Sequence, residues 1–434
     1  MTTTGGGMCA DTVMSCKDLV PCENDNQTCS VPNTVCVNNT RCNIPVCYPI
    51  ERASSQRCPS FTRGTITNTT TPRTLATTPS TTSIITTSST STPSTTTTYT
   101  PSGSSNTSSM SFGRYLHTAS VLTNGKVLVA GGYGASGFLN TAELYEPSTG
   151  LWTTTGTMSY GRYAHTASVL TNGKVLVTGG VGYSGYLNTT ELYDPSTGLW
   201  TTTGTMSYGR YYHTASVLSN GKVLVTGGYG TSGLLNTTEL YDPSTGLWTT
   251  AGTMSYGRYV HTASILSNGK VLVTGGYGYS GYLNTAELYE PSTGLWAATG
   301  TMSYGRGYHT ASVLTNGKVL VTGGYGASGF FNTTELYDPS TGLWTATGTM
   351  SYGRGYHTAS VLTNGKVLVT GGYGYSSILN TAELYDPSTG FWTITSYMSY
   401  GRYYHTASLL SNGKVLVTGG YGNGSILNTT ELYP

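Results

Sequence analysis

Charge is scarce in this chain: Asp, Glu, Lys and Arg make up 9% of 434 residues, and the formal net charge is +2. A nucleic-acid partner would need a clustered basic face. Beyond residue 110 Lys and Arg are instead dispersed, one of each about every fifty residues, so nucleic acid is excluded. No run of 18 apolar residues occurs, so no membrane insertion is expected. No stretch shows helical periodicity, which excludes an α or α/β architecture. No cysteine follows Cys58.

What is present falls into three parts: 1–60, 61–103 and 104–434. The first holds all eight cysteines, Cys9, Cys16, Cys22, Cys29, Cys36, Cys42, Cys47 and Cys58, with no histidine nearby. So short a segment cannot surround much core and needs staples. The gaps between successive cysteines hold six, five, six, six, five, four and ten residues, with no Cys-x-x-Cys pair. Zinc ligands favour closer pairing, so four disulfides are expected, with 105 connectivities open. Disulfides imply an oxidising compartment, and an extracellular or cell-surface location follows as the expectation. Nine Asn-x-Ser/Thr sequons, at Asn26, Asn38, Asn68, Asn106, Asn188, Asn236, Asn332, Asn423 and Asn428, agree with it. The first eight residues lack the charged and apolar regions of a signal peptide, so export requires either a start further upstream or another route.

The second part is dominated by Thr, Ser and Pro, with prolines at 72, 79, 93 and 101. It buries too little to offset its ordering entropy, and a disordered linker is expected. Ser/Thr with Pro is also the composition of O-glycosylated stalks.

The third part is a 48-residue unit written seven times: Arg114, Arg162, Arg210, Arg258, Arg306, Arg354 and Arg402 are evenly spaced. All seven histidines (His117 to His405), seven Gly-Gly pairs and all six tryptophans (Trp152 to Trp392) keep the same step. A fixed period of this size means stacked units that bury their apolar faces only against their neighbours. In the second unit, 165–170 is a β-compatible run, and Asn172-Gly173 marks a hairpin turn with φ > 0 expected at both positions. An apolar run at 174–178 follows, suited to a strand covered on both faces. It ends at Gly179-Gly180, where backbone packs closely. A third strand is expected over 188–193, a Pro/Gly turn at 194–198, and a fourth, outer strand over 200–205. Four antiparallel strands per unit fit a β-propeller blade.

Each unit resembles a kelch repeat: an apolar strand ending in Gly-Gly, then a Tyr followed after six residues by a Trp, as in Tyr145 to Trp152 and Tyr193 to Trp200. The resemblance covers 110–434 and implies an all-β, seven-bladed propeller of four-stranded blades. Kelch propellers include enzymes and many non-catalytic binding modules, so fold alone does not decide activity. The seventh unit lacks its fourth strand. Aligning Met110 with Met158 puts 104–109 in that place, so the N-terminal side is expected to close the ring.

Residues at one blade position form a wide ring rather than the tight donor cluster a metal needs. The histidines are therefore expected to hydrogen-bond to backbone, and no metal or cofactor is expected. The arginines either bind an anion or pair with the strand-three carboxylate (Glu191 and its equivalents); Arg306 and Arg354, beside Gly307 and Gly355, are expected to be the more open to a ligand. Galactose-oxidase-like catalysis needs a Tyr–Cys cofactor, which a cysteine-free propeller cannot form. Sialidase-like catalysis would need a break in symmetry, and no nucleophile–base pair stands out. A carbohydrate-active enzyme is thus the alternative, and non-catalytic binding is the principal expectation. The units differ most in the loop entering strand one and the loop between strands two and three, which emerge on one face. That face is rich in Tyr, Ser and Gly, a composition suited to recognition. A protein or glycan ligand is expected there, anchored by Tyr183, Tyr186, Tyr279, Tyr282, Tyr308, Tyr356 and Tyr375.

Overall fold

The computed structural model describes residues 104–434 except Ser376, together with the backbone of three N-terminal strands, Val20–Pro21, Thr34–Asn39 and Ile44–Pro49. These three form an antiparallel sheet whose register sets Cys36 opposite Cys47. The expected cysteine pairing and the character of the linker lie outside the described residues.

From residue 104 the chain forms seven four-stranded antiparallel sheets, and no helix occurs among the described residues. In the second blade the strands are Thr166–Val169, Val175–Thr178, Thr190–Asp194 and Leu199–Thr202, paired in chain order. The second strand is buried along its whole length, as its unbroken apolar run requires. The turn before it differs from expectation: only Gly173 has positive φ (80°). Leu170 and Lys174 pair across a three-residue loop, with Leu170 N donating to Lys174 O at 2.8 Å. That is a type I turn followed by a left-handed glycine, with Asn172 Oδ1 accepting from Lys174 N at 3.1 Å instead of adopting φ > 0 itself.

The Gly-Gly pairs serve the contact between blades. Gly179 and Gly180 have φ of 63° and 94°, and Gly180 N donates to Arg210 O of the next blade at 2.8 Å. A Cβ on Gly179 would fall 2.6 Å from that same carbonyl, so both conformation and space demand glycine.

Apolar cores lie between blades. One unites Leu122, Leu128, Ala142 and Met158 with Val175, Val177 and Tyr193 of the next blade. The Tyr-x6-Trp pair divides its labour: Tyr193 is fully buried, while Trp200 is half-buried with its ring centroid 5.1 Å from that of Tyr193. The ring closes as expected. Ser105–Asn106 pairs with Leu432 and Glu431 as the outer strand of the seventh blade, and the first strands of blades one and seven touch as the other neighbours do.

Candidate binding face

The two variable loops of each blade do share a face, and they are tied together by an isolated bridge such as Tyr115 to Tyr133 or Tyr211 to Tyr229. In six blades the loop between strands two and three folds into a two-stranded hairpin, for example Gly185–Tyr186 against Val181–Gly182. The Gly/Ser/Tyr composition of this segment predicts only a loop.

Around the axis, the residue two places after each arginine adopts a left-handed conformation: Leu116, Ala164, Tyr212, Val260, Tyr308, Tyr356 and Tyr404 have φ between 50° and 59°. Each N–H donates to the carbonyl of the same position in the preceding blade, at 3.0–3.2 Å, and Leu116 N to Tyr404 O completes the circle. Seven such bonds form a closed belt of backbone at the channel mouth. A left-handed L-residue costs about 1–2 kcal/mol, most plainly at β-branched Val260; the circular hydrogen bonding holds it there.

Beneath the belt, each histidine reaches the preceding blade. His213 Nε2 lies 3.0 Å from Thr166 Oγ1 and 3.1 Å from Thr178 Oγ1, and His165 Nε2 lies 3.1 Å from Thr118 Oγ1. The expected backbone partner is thus replaced by threonine hydroxyls. Burial, and then the neighbouring arginine charge, push His165, His309 and His405 down to about 3. These rings are neutral at ordinary pH.

The arginines are structural. Arg162 is fully buried; its Nη2 meets Glu191 Oε1 at 2.8 Å, and its Nη1 donates to the carbonyls of Gly179 and Thr189 at 2.8 and 3.0 Å. Glu191 Oε2 accepts from Ser159 N at 2.7 Å. All seven copies keep the ion pair, at 2.6–2.9 Å. This corrects the reading of Arg306 and Arg354 as ligand contacts: both are 0% exposed. The small neighbours Gly307 and Gly355 do not open them, because each guanidinium points inward to Glu335 or Glu383.

The remaining charges lie on the other side. Between residues 104 and 434 the only other Lys, Arg, Asp and Glu are seven lysines and six Asp or Glu residues in the strand-connecting turns. Six of those lysines pair with them, as Lys174 does with Asp194 at 3.1 Å and Lys270 with Glu290 at 3.3 Å. Among the described residues the variable face therefore carries no charged side chain.

It carries aromatic rings instead. Ring contacts with centroids 4.8–6.0 Å apart run from Tyr186 through Tyr211, Tyr229, Tyr259, Tyr277, Tyr282, Tyr325, Phe330, Tyr373, Tyr403, Tyr421, Tyr115, Tyr133 and Phe138 to Tyr183. The belt is interrupted in the second blade, where Val181 stands in the place of Tyr133. Tyr186 and Tyr282 belong to this belt. Tyr308 and Tyr356 sit further in, at the channel mouth, with centroids 4.2 Å apart. Burial pushes Tyr356 up to about 12 and Tyr308 higher still, so both keep their phenolic protons. Tyr183, Tyr279 and Tyr375 stand at the rim, 77%, 81% and 69% exposed. Tyr183 and Tyr375 each donate to the hairpin of the preceding blade, at Ser136 O (3.2 Å) and Ser328 O (2.8 Å). Tyrosines of the even blades thus lean over small Ser-Gly tips of the odd ones, a pairing the sequence reading missed although the Ala/Thr-to-Tyr alternation at this position signalled it. The seven expected anchors share one face but form a rim group, a belt group and a mouth group rather than one cluster.

Two stretches of the chain, 88–256 and 249–420, match the family model described as the KLHDC2/KLHL20/DRC7 Kelch-repeats domain. No curated protein matches the chain. Among solved structures, one described as a novel fungal alcohol oxidase with catalytic diversity among the AA5 family, in complex with copper, is similar with a TM-score of 0.63 and 21% identity, over 76% of each chain. At that identity the likeness concerns the fold. Among the described residues no group of three His, Cys, Asp or Glu is placed to hold a metal ion, and each histidine faces threonines. With seven blades of this build and a family match spanning most of its length, the chain belongs to the kelch-repeat family.

Proposed function

We propose that this propeller is a non-catalytic binding module that receives an uncharged glycan or protein segment on its variable face. One observation carries the reading: that face presents an aromatic belt with three exposed tyrosines at its rim and no charged side chain, while the opposite face is uniform and charge-paired. Tyrosine offers a large contact area for little lost rotamer freedom, and its hydroxyl serves polar partners. A neutral face suits ligands that supply C–H surfaces and hydroxyl or amide groups.

The N-terminal cysteines fit a disulfide-linked module, and the facing register of Cys36 and Cys47 suits one of four bridges. With the Ser/Thr linker and the sequons, this supports presentation of the propeller outside the cell on a glycosylated stalk. The test is a glycan array and an affinity pull-down with the full chain, each run at low and high salt. Recognition by a neutral face should be nearly independent of ionic strength, because there are no exposed charges to screen. Binding lost at high salt would place the ligand on the lysine-bearing face and refute the proposal.

A further inference from the structure

Three junctions on the variable face join an odd blade to the even blade that follows, and the middle one lacks a ring that the other two share. Where blades one and two meet, the Tyr183 ring packs edge-on against Phe138 with centroids 4.8 Å apart, and its hydroxyl donates to Ser136 O. Where blades five and six meet, Tyr375 does the same with Phe330, at 5.8 Å, and with Ser328 O. Where blades three and four meet, Leu234 stands in the place of the Phe. Tyr279 there stands off from the preceding hairpin: a Cβ on Gly233 would lie 3.5 Å from its hydroxyl, against 2.9 and 2.7 Å for the matching glycines, Gly137 and Gly329, under Tyr183 and Tyr375. Among the described residues the Tyr279 hydroxyl has no hydrogen-bond partner, in contrast to the other two.

A cavity of about 440 Å³ opens at this middle junction, walled by Leu234, Asn236, Ser255, Tyr256, Tyr279 and Ser280. That volume lies within the range of small-ligand pockets. Leu234 apart, the matching residues of the first junction are of the same types, so the exchange of Phe for Leu is what sets this lining apart. The walls combine two exposed phenol rings with hydroxyls and one carboxamide, and none of them is charged. Asn236 Nδ2 donates to Met254 O at 3.1 Å, which leaves its Oδ1 to accept. The backbone alongside is already engaged: Met254 N donates to Asn236 O at 2.9 Å, and Arg258 N to Leu235 O at 3.2 Å. A peptide strand, which docks through main-chain hydrogen bonds, meets a closed edge there. What remains are side-chain hydroxyls, each able to donate and to accept.

We propose that this cavity takes one neutral pyranose ring of a glycan, as the sugar-binding subsite of the variable face. A pyranose presents C–H surface to the rings of Tyr256 and Tyr279, whose bodies are apolar and whose tips are polar. Its hydroxyls, themselves donors and acceptors, match those of Ser255, Ser280 and the two tyrosines, with Asn236 Oδ1 as a further acceptor. An anionic sugar would find no cation in the walls, so the ring bound here is uncharged. The assignment rests on the variable face being the binding surface, and adds the class of ligand and its place.

The experiment is a saturation-transfer NMR titration of the full chain with the methyl glycosides of glucose, mannose and galactose, repeated on Leu234→Phe and on Leu234→Phe combined with Phe138→Leu. Each exchange installs a residue that a sister junction already carries, so the fold accommodates both. At least one glycoside should bind wild type saturably, and Leu234→Phe should bind it at least about tenfold more weakly. The double variant should recover the binding, because the open junction has been moved to blades one and two. No saturable binding of any of the three glycosides overturns the proposal. Affinity indifferent to Leu234→Phe but lowered by Tyr308→Ala overturns this site and leaves the binding face standing; affinity lost only in Lys270→Ala refutes that face as well. A protein ligand weakened by Leu234→Phe, with no glycoside bound, would make the occupant a peptide side chain and equally overturn the sugar assignment.

Discussion

Acidification from pH 7.5 to 5 should unfold the propeller, and the seven histidines set the size of the effect. Every histidine of the chain lies in this ring and is buried. For His165, His309 and His405 burial lowers the folded pKa to about 3, and the other four are lowered well below the ordinary value or likewise held neutral by the same environment. In the unfolded chain the same groups titrate near 6.5. The unfolded state therefore binds more protons between about 6.5 and 3, and stability falls as pH falls through that window. At pH 5 His165, His309 and His405 each favour unfolding by about 2 kcal/mol, together about 6 kcal/mol, and the other four act in the same direction. That is comparable to the whole stability of a typical domain, about 5–15 kcal/mol. Urea unfolding followed by tryptophan fluorescence, at half-unit steps of pH, should show stability falling by at least about 4 kcal/mol per pH unit once below about 5.5. His213→Gln keeps a group able to reach the threonines but takes up no proton, and should flatten the slope. A stability curve level between pH 7.5 and 5 would refute the assignment of the histidines as buried, neutral ties between blades.

Arg306→Ala should destabilise the fold by about 3–5 kcal/mol in urea unfolding, because Glu335 is left buried without its partner; a change below 1 kcal/mol would mean the pair is solvated. Gly227→Ala, whose Cβ would lie 2.6 Å from Arg258 O, should cost far more stability than Gly269→Ala, whose φ is also positive (81° against 61°) but which faces open space. Intact mass of secreted protein should rise by about eight protons on reduction, as four bridges require; eight free thiols in native material would contradict both the disulfide proposal and the extracellular one.

The blade was legible because its signals are local. A period of 48, an apolar run stopped by Gly-Gly, and Pro-x-x-Gly turns each report backbone geometry through residues that suit it. The ion pair of Arg162 and Glu191 was legible as an option, since it repeats seven times, but Gly307 and Gly355 misled the reading of Arg306 and Arg354: exposure depends on where a guanidinium points, which its neighbour in sequence does not determine. The axial hydrogen-bonded belt was not legible at all. Leu116, Ala164 and Val260 carry no mark of left-handed backbone; the conformation is imposed by closure of the ring. The histidine partners were missed for a related reason, because Thr118 and Thr166 reach them only across a blade boundary.

The variable face is the proposed binding surface. Once the array or pull-down yields a ligand, its affinity should be measured for wild type, for Tyr279→Ala with Tyr282→Ala, and for Lys270→Ala on the opposite face. Interface energy concentrates in a few aromatic residues, so the tyrosine pair should weaken binding at least tenfold, about 1.4 kcal/mol, with Lys270→Ala indistinguishable from wild type. Loss of affinity in Lys270→Ala with the tyrosine pair unaffected would contradict the account and show that the loops vary without binding anything.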